Sequence, residues 1–283
     1  MTKSRGTPAP EEPRGTPVPE EPRGTPLAVV TGASSGIGFE LAKVFAENGF
    51  DVLVNAENGR LTAAAAQLRA TGAHIQPVQA DLSSYDGVEQ LYAVIASTGR
   101  PVSAAALNAG VGQGGAFIDT DLADEINIID VNITSTVHLA KRLLKDMVGR
   151  DDGKMLITSS IASTMPGSFQ AVYNASKSFL QSFAQALQNE LEDTNVTITS
   201  LMPGPTDTDF FHRAGMEDTK VGQADKDDPA QVAKQGFDAL MAGDRKIIAG
   251  SVTTKAQGVA GKVLPDKLKA AAHRQMAEPG SGE

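Results

Sequence analysis

The chain contains no cysteine, no tryptophan and only three tyrosines among its 283 residues. Without cysteine it forms no disulfide, carries no thiol nucleophile and offers no thiolate metal ligand. Histidine is scarce as well, and its four positions lack the spacing of a metal site: His74, His138, His212 and His273. We therefore expect no bound metal.

Long apolar runs and an excess of positive charge are also missing. No apolar run approaches the roughly 20 residues that a membrane span needs. The basic start Met1–Arg5 lacks the apolar core of a secretory signal. The net charge of −9 disfavours nucleic acid and anionic membranes as partners. These features predict a cytoplasmic protein with no nucleic-acid and no membrane partner.

The first 26 residues differ in composition from the rest of the chain. The segment Arg5–Pro13 recurs as Arg14–Pro22 and begins again at Arg23, which gives a nine-residue repeat rich in Pro and Glu. It offers almost no apolar surface to bury, so we predict a disordered or polyproline-type leader over residues 1–26. Its role is open between an inert leader and a tether for a proline-recognising partner.

Apolar segments and amphipathic segments alternate through the remainder of the chain, which is 41% hydrophobic overall. The predicted strands are 27–31, 51–55, 74–79, 102–107, 153–159, 196–202 and 246–249. The predicted helices are 36–48, 59–71, 84–97, 121–148, 171–193 and 229–242. This alternation favours a Rossmann-type, doubly wound α/β fold, with a seven-stranded, mostly parallel sheet and helices on both faces. We assign 27–250 to this catalytic domain and 251–283 to a C-terminal helical extension, with a helix over Asp266–Met276 and a frayed tail.

A glycine-rich turn, Thr31–Gly38, follows the first predicted strand and precedes an amphipathic segment. Such a turn lets the backbone approach a pyrophosphate at a helix N-terminus, where free N–H groups and the helix dipole favour an anion. Its glycines are spaced three residues apart and then one, unlike the common dinucleotide fingerprint. By itself the turn is also compatible with a strand-to-helix connection that binds no ligand.

The segment Tyr173–Lys177 places a phenol and an ammonium group one helical turn apart. A phenol with its ordinary pKa near ~10 is a poor acid or base at neutral pH. A neighbouring ammonium stabilises the phenolate, so a lowered pKa is predicted for Tyr173. Tyr173 is therefore a candidate general acid/base, and Ser160, thirteen residues upstream, is a candidate to hold the reacting oxygen beside it.

Taken with Asp81-Leu82, Asn108–Gly110, Asn132 and Pro203-Gly204, these segments resemble the short-chain dehydrogenase/reductase family over about residues 27–250. The resemblance implies that the catalytic residues are Asn132, Ser160, Tyr173 and Lys177. It implies that the cofactor-binding residues are Gly32, Ser34, Ser35, Gly36, Ile37, Gly38, Glu57, Asp81, Leu82, Asn108, Ala109, Gly110, Tyr173, Lys177, Pro203, Gly204, Thr206 and Thr208.

The resemblance also implies a reaction: hydride transfer between a nicotinamide cofactor and a carbonyl or secondary alcohol. Tyr173 exchanges the proton, Ser160 orients the oxygen, Lys177 also bonds the nicotinamide ribose, and Asn132 holds a water that links Lys177 to solvent. Two other function classes stay open, namely a catalytically silent dinucleotide-binding sensor or scaffold, and an epimerase or dehydratase on the same fold.

The substrate pocket is expected to take its walls from the loops after the fourth, fifth and sixth strands. These loops are 112–117, 165–169 and 209–213, and their side chains are mostly apolar or aromatic. A small to medium, mostly apolar small-molecule substrate fits best. No cluster of basic residues stands in these loops to bind a phosphate or carboxylate. A lone Arg213 or His212 could do so, but we expect both to be exposed lid residues.

The end of the second strand bears on the choice of cofactor. NAD-preferring members of the family commonly carry Asp where Ala56 stands, and NADP-preferring members carry Arg or Lys where Glu57 or Ser35 stands. This chain has neither pattern, and Arg60 is the nearby cation. Because Glu57 repels a 2′-phosphate, we expect NAD or NADP with a slight preference for NAD.

Two predicted helices, 121–148 and 171–193, carry more apolar positions than the sheet needs. These positions are Ile126, Ile129, Ile133, Val137, Phe179, Phe183 and Leu187. In the family, the equivalent helices pair across a two-fold axis, so the resemblance implies a homodimer or homotetramer with an isologous interface. The alternative is that these side chains all face the sheet.

Overall fold

Seven strands form a single sheet in the part of the chain that the structure describes. They are β1 (Leu27–Thr31), β2 (Asp51–Ala56), β3 (Ile75–Gln79), β4 (Val102–Leu107), β5 (Gly153–Thr158), β6 (Val196–Pro203) and β7 (Lys246–Ala249). The structure is a computed structural model and describes residues 24–260 and 265–282. The strand order is β3-β2-β1-β4-β5-β6-β7 and all neighbours are parallel. The predicted doubly wound fold is confirmed.

Helices cover both faces of this sheet. They are α1 (Gly36–Glu47), α2 (Arg60–Leu68), α3 (Tyr85–Ser97), α4 (Leu122–Ile128), α5 (Ser135–Arg150), α6 (Ala171–Glu190), α7 (Phe210–Arg213), α8 (Lys220–Gln223), α9 (Pro229–Ala242), α10 (Val252–Ala260) and α11 (Asp266–Ala277). On one face α3, α5 and α6 bury an apolar layer, and on the other α1, α2 and α9 bury a second. Two buried faces explain why the strands read as apolar runs and not as alternating patterns.

The predicted helix 121–148 is wrong as a single element. It consists of α4, a π-helical segment Ile129–Thr134, and α5. A π turn holds an extra residue, which re-aims the side chains that follow it. The predicted helix 59–71 also ends early, since α2 passes into a 3-10 turn that stops at Gly72, where φ is +89°.

The C-terminal extension forms α11 close to its predicted range, and α11 contacts the segment after β6. The predicted leader, 1–26, lies outside the described residues except for its last three positions. Over residues 24–260 and 265–282, each helix is too short or too polar to cross a bilayer.

Candidate active site

The glycine turn between β1 and α1 lies against the end of β4. Gly32 and Gly36 have φ of +69° and +56°, a region that side chains other than glycine disfavour. A Cβ on Gly32 would lie 2.9 Å from the Ala109 Cα, and one on Gly38 would lie 2.2 Å from the Gly32 carbonyl oxygen. The missing side chains therefore let the turn close tightly and keep its surface bare.

The N-terminus of α1 emerges from this turn. Among the described residues no side chain caps it, since Ser35 at the N-cap makes no capping hydrogen bond, and its first turn holds no acidic residue. The first N–H groups of a helix lack intrahelical partners and carry the positive end of the dipole. The bare turn and the uncapped helix end fit the pyrophosphate of a dinucleotide.

Asn108 joins the ends of three neighbouring strands beside the turn. Its backbone N–H donates to the Thr31 Oγ1 at 3.0 Å, and its Oδ1 accepts from the Thr158 Oγ1 at 3.1 Å. Thr31 closes β1, Thr158 closes β5, and Asn108 follows β4. This network fixes the floor of the site at the carboxyl ends of the central strands, where open parallel sheets bind ligands.

Asn132 is fully buried in the π-helical segment. Its Nδ2 donates to the Val111 carbonyl at 3.0 Å and to the Ser176 Oγ at 2.9 Å, while its Oδ1 accepts from the Val111 N–H at 2.8 Å. A Cβ on Gly110 would lie 3.3 Å from both the Asn132 Oδ1 and the Lys177 Nζ. Gly110 thus leaves the space between these two polar groups free.

Ser160 and Tyr173 meet in the wall of the cavity. The Ser160 Oγ donates to the Pro203 carbonyl at 3.3 Å and accepts from the Ala162 N–H at 3.1 Å. Burial raises the pKa of Tyr173 to about 12, and a hydrogen bond with the Ser160 hydroxyl partly opposes that increase. Because of this raised pKa, the phenol keeps its proton at neutral pH. The centroids of the Tyr173 and Phe210 rings lie 5.1 Å apart.

Lys177 lies one turn after Tyr173 and is buried. Its Nζ donates to the Thr158 carbonyl at 3.0 Å and lies 5.8 Å from the centre of the Tyr173 ring. Burial lowers the pKa of Lys177 to about 8. The predicted net lowering of the Tyr173 pKa is wrong for this structure, because loss of solvent raises that pKa.

One cavity of about 460 Å³ collects the predicted site residues. All the predicted cofactor-binding residues line it, from Gly32 in the turn to Thr208 after β6, and so does Ser160. Asn132 is not in the lining, but its side chain is hydrogen-bonded to Val111, which is, and to Ser176. Among the described residues, no group of three or more His, Asp or Glu side chains is placed to hold a metal ion.

The cavity also contains residues that the sequence analysis missed near β2. Asn55 is buried in this strand, and its Nδ2 donates to the carbonyls of Val78 and Ala80, at 3.1 Å each. A polar residue inside an apolar strand was the available signal. Arg60 forms an ion pair of 2.7 Å with Asp209, so α2 is linked to the segment that precedes α7.

At the opposite end of the cavity, α11 supplies a wall that the sequence analysis did not predict. Lys269, Ala272, His273 and Met276 line the cavity, and they are spaced i, i+3, i+4 and i+7 along one helical face. That periodicity was the signal for a helix face directed at a neighbour. The sequence pattern did not indicate that this helix face packs against the cavity.

The three loops predicted to wall the substrate pocket contribute unequally. Met165 and the α7 aromatic residues line the cavity, whereas residues 112–117 do not, and Phe117 is exposed. Arg213 is exposed, as expected, and it also lines the cavity. His212 is exposed as expected and pairs with Glu217 at 3.0 Å.

Several known proteins are similar in sequence to this chain. The family model described as short chain dehydrogenase matches residues 26–218. The chain is 31% identical over 205 residues to the uncharacterized oxidoreductase SERP2049 of Staphylococcus epidermidis. That match covers 70% of this chain and 88% of the relative.

Solved structures share the fold. A short-chain dehydrogenase from Sphingobium yanoikuyae in complex with NADPH has a TM-score of 0.73 and 25% identity, covering 83% of this chain and 92% of its own. A short chain dehydrogenase/reductase from Burkholderia phymatum in complex with NAD has a TM-score of 0.73 and 23% identity, covering 79% and 88%. The family match and the shared fold show that the chain belongs to the short-chain dehydrogenase/reductase family of oxidoreductases.

Proposed function

We propose that the protein interconverts a carbonyl and a secondary alcohol on a small to medium, mostly apolar substrate, with Tyr173 as the acid/base. The observation that carries this proposal is the convergence of Ser160, Tyr173 and Lys177 in the cavity that also holds the bare glycine turn. An acid/base group beside a dinucleotide site favours catalysis over a silent sensor or scaffold.

The glycine turn and the α1 N-terminus would hold the pyrophosphate of a nicotinamide dinucleotide. Pro203, Gly204 and Thr208 would lie along its nicotinamide half, since they follow β6 on the same side as Tyr173. When bound, this cofactor supplies or accepts the hydride. The similar structures with NADPH and with NAD support either form, and a slight preference for NAD is part of the proposal.

Four side chains have separate roles in the proposed proton transfer. In reduction, the neutral Tyr173 phenol donates its proton to the substrate oxygen as the hydride reaches the carbon, so a carbonyl becomes an alcohol. Ser160 hydrogen-bonds the same oxygen and orients it. The Lys177 ammonium, charged below about pH 8, stabilises the phenolate that remains. Asn132 maintains the space beside Lys177.

The cavity wall beyond Tyr173 supports a mostly apolar substrate. It includes Met165, Phe210, Phe211, Val221 and Met276, and these residues come from the β5 loop, from α7 and α8, and from α11. Thioether and aromatic groups bind hydrocarbon through area and dispersion. A homo-oligomer and a cytoplasmic location remain predictions from the sequence.

A screen of ketones and secondary alcohols, followed by the absorbance of NADH and NADPH, tests the proposal. On any substrate found, Tyr173→Phe should lower turnover by at least ~10²-fold, the low end for general acid/base catalysis. Tyr85→Phe is the matched control, because Tyr85 is 66% exposed and lies outside the cavity. Near-normal turnover in Tyr173→Phe would refute the assignment.

A further inference from the structure

The far end of the cavity differs in charge from the glycine-turn end. Among the described lining residues the carboxylates are Glu57 and Asp81, and both lie beside β2 and β3. The far end is lined by Arg213, Lys269 and His273 and by apolar side chains. A largely buried ammonium next to an apolar wall is suited to a substrate with one charged end.

The Lys269 ammonium has two partners within the protein. Its Nζ donates to the Thr164 carbonyl at 3.0 Å and pairs with Asp266 at 2.8 Å. An ammonium has three donors, so one remains for a ligand. The Lys269 side chain is 13% exposed, whereas that of Asp266 is 82% exposed, so water screens the Asp266 charge strongly.

The helix that carries Lys269 is fixed in place by contacts on two sides. The His273 Nδ1 donates to the Ser168 carbonyl at 3.0 Å, and burial lowers the pKa of His273, so its ring is neutral at neutral pH. At the C-terminal end, the Gly280 N–H donates to the Asp218 Oδ2 at 2.8 Å. His273 therefore positions α11, and the charge at this end comes from Lys269 and Arg213.

Arg213, an exposed residue of α7, also lines the cavity. No hydrogen bond or ion pair of its guanidinium occurs among the described residues. Because the exposed Asp266 carboxylate is screened by water, the Lys269 ammonium is the largely buried positive charge at this end of the cavity. One substrate carboxylate neutralises that charge, whereas a phosphate carrying nearly two negative charges does not.

We propose that the substrate is an oxo acid or hydroxy acid whose carboxylate lies remote from the reacting carbon and is bound by Lys269, with Arg213 as a second contact. The apolar wall between Tyr173 and Lys269 then holds the hydrocarbon between the two groups. This inference rests on the proposed function for the reacting carbonyl, and the carboxylate site itself rests on α11 and α7.

Matched substrates test it directly. Methyl-ketone carboxylic acids of increasing chain length, each paired with its methyl ester, are compared by kcat/KM in the full-length enzyme. At the best length the acid should exceed the ester by about 10-fold, or ~1.4 kcal/mol. Lys269→Met should bring the acid-to-ester ratio close to one. Lys267→Met, an exposed lysine on the same helix, should keep the wild-type ratio.

Calorimetric titration of the same acids and esters separates this inference from the proposed function. Acid binding that Lys269→Met weakens, without turnover in any variant, supports the carboxylate site and refutes the oxidoreductase proposal. Turnover of esters at least as good as that of acids overturns the carboxylate site and leaves the reaction standing. Acid binding that is equal in wild type and Lys269→Met, with melting temperatures unchanged, also overturns the site.

Discussion

Lys177 donates a hydrogen bond from its Nζ to the Thr158 carbonyl oxygen at 3.0 Å, and this bond ties α6 to the end of β5. Its backbone carbonyl accepts a second bond from the Ser159 Oγ at 2.9 Å. The ammonium is thus fixed at the carboxyl edge of the sheet, 5.8 Å from the centre of the Tyr173 ring.

Lys177→Met should weaken both turnover and cofactor binding, because the ammonium has two proposed roles. We expect a loss of at least ~10²-fold in kcat/KM, with a higher dissociation constant for NADH measured by nicotinamide fluorescence. Lys154→Met is a matched control, since Lys154 also donates to a carbonyl, that of Met241 at 3.3 Å, away from the cavity. Unchanged values for both quantities would contradict the two roles.

Lys177 should also make the stability of the protein depend on pH. Its folded pKa is about 8 against an ordinary 10.5, so between these values the unfolded chain binds more protons than the folded chain. Unfolding free energy therefore rises with pH in that window. Tyr173, with its pKa raised to about 12, opposes this only above its ordinary 10.0.

Melting temperatures of wild type and Lys177→Met check this contribution. The difference, wild type minus variant, should increase as pH rises from about 8 toward about 10. A wild-type advantage that shrinks with rising pH would show that the ammonium, and not the neutral amine, is the form that the folded protein favours.

The strands could be predicted from the sequence because burial on both faces leaves an apolar run of the right length. All seven predicted strands are present with bounds within about one residue, although the edge strand β3, Ile75–Gln79, is only partly buried. The motif residues lie together because each follows the carboxyl end of a strand, and a parallel sheet collects those ends at one edge.

Other features depend on contacts between distant segments, and the sequence gives no direct sign of them. The π-helical segment that aims Asn132 has no distinct periodicity, since one extra residue does not alter the apolar pattern visibly. The wall formed by α11 depends on where the chain returns after β7. The pKa of Tyr173 rises because burial outweighs the hydrogen bond with Ser160, and burial is unknown until the fold is known.

The outer faces of α4, the π-helical segment and α6 bear on assembly. Ile126, Ile129 and Phe179 are 47%, 37% and 42% exposed, whereas Phe183 and Leu187 pack against the sheet core. Part of the predicted apolar set therefore faces the sheet, and the rest is free for an isologous interface.

Light scattering of wild type and Phe179→Glu tests that interface. We expect wild type at micromolar concentration to have the mass of a dimer or tetramer, and Phe179→Glu to lie near the 29.4 kDa of one chain, because a buried unpaired carboxylate disfavours association. Ile118→Glu, at a residue 89% exposed on a different segment, is the control. A wild-type mass near that of one chain would contradict the oligomer.

The contacts of Arg60 bear on the choice between NAD and NADP. Its guanidinium pairs with Asp209 at 2.7 Å, while Glu57 lines the cavity at the end of β2. Both partners of the pair are about half exposed, so the ion pair contributes little free energy and can exchange for another anion. Arg60 is therefore a cation that could exchange Asp209 for a 2′-phosphate. Glu57, which lines the cavity, would repel that phosphate.

We expect wild type to bind NADH about 10-fold more tightly than NADPH, or ~1.4 kcal/mol, as measured by fluorescence titration of both cofactors. The double change Ala56→Arg with Glu57→Arg should reverse the preference, because it supplies a cationic fork in place of a repelling carboxylate. Tighter binding of NADPH by wild type would contradict the role of Glu57. Arg60→Ala then identifies the cause, since it removes the NADPH preference only if Arg60 leaves Asp209 to bind the phosphate.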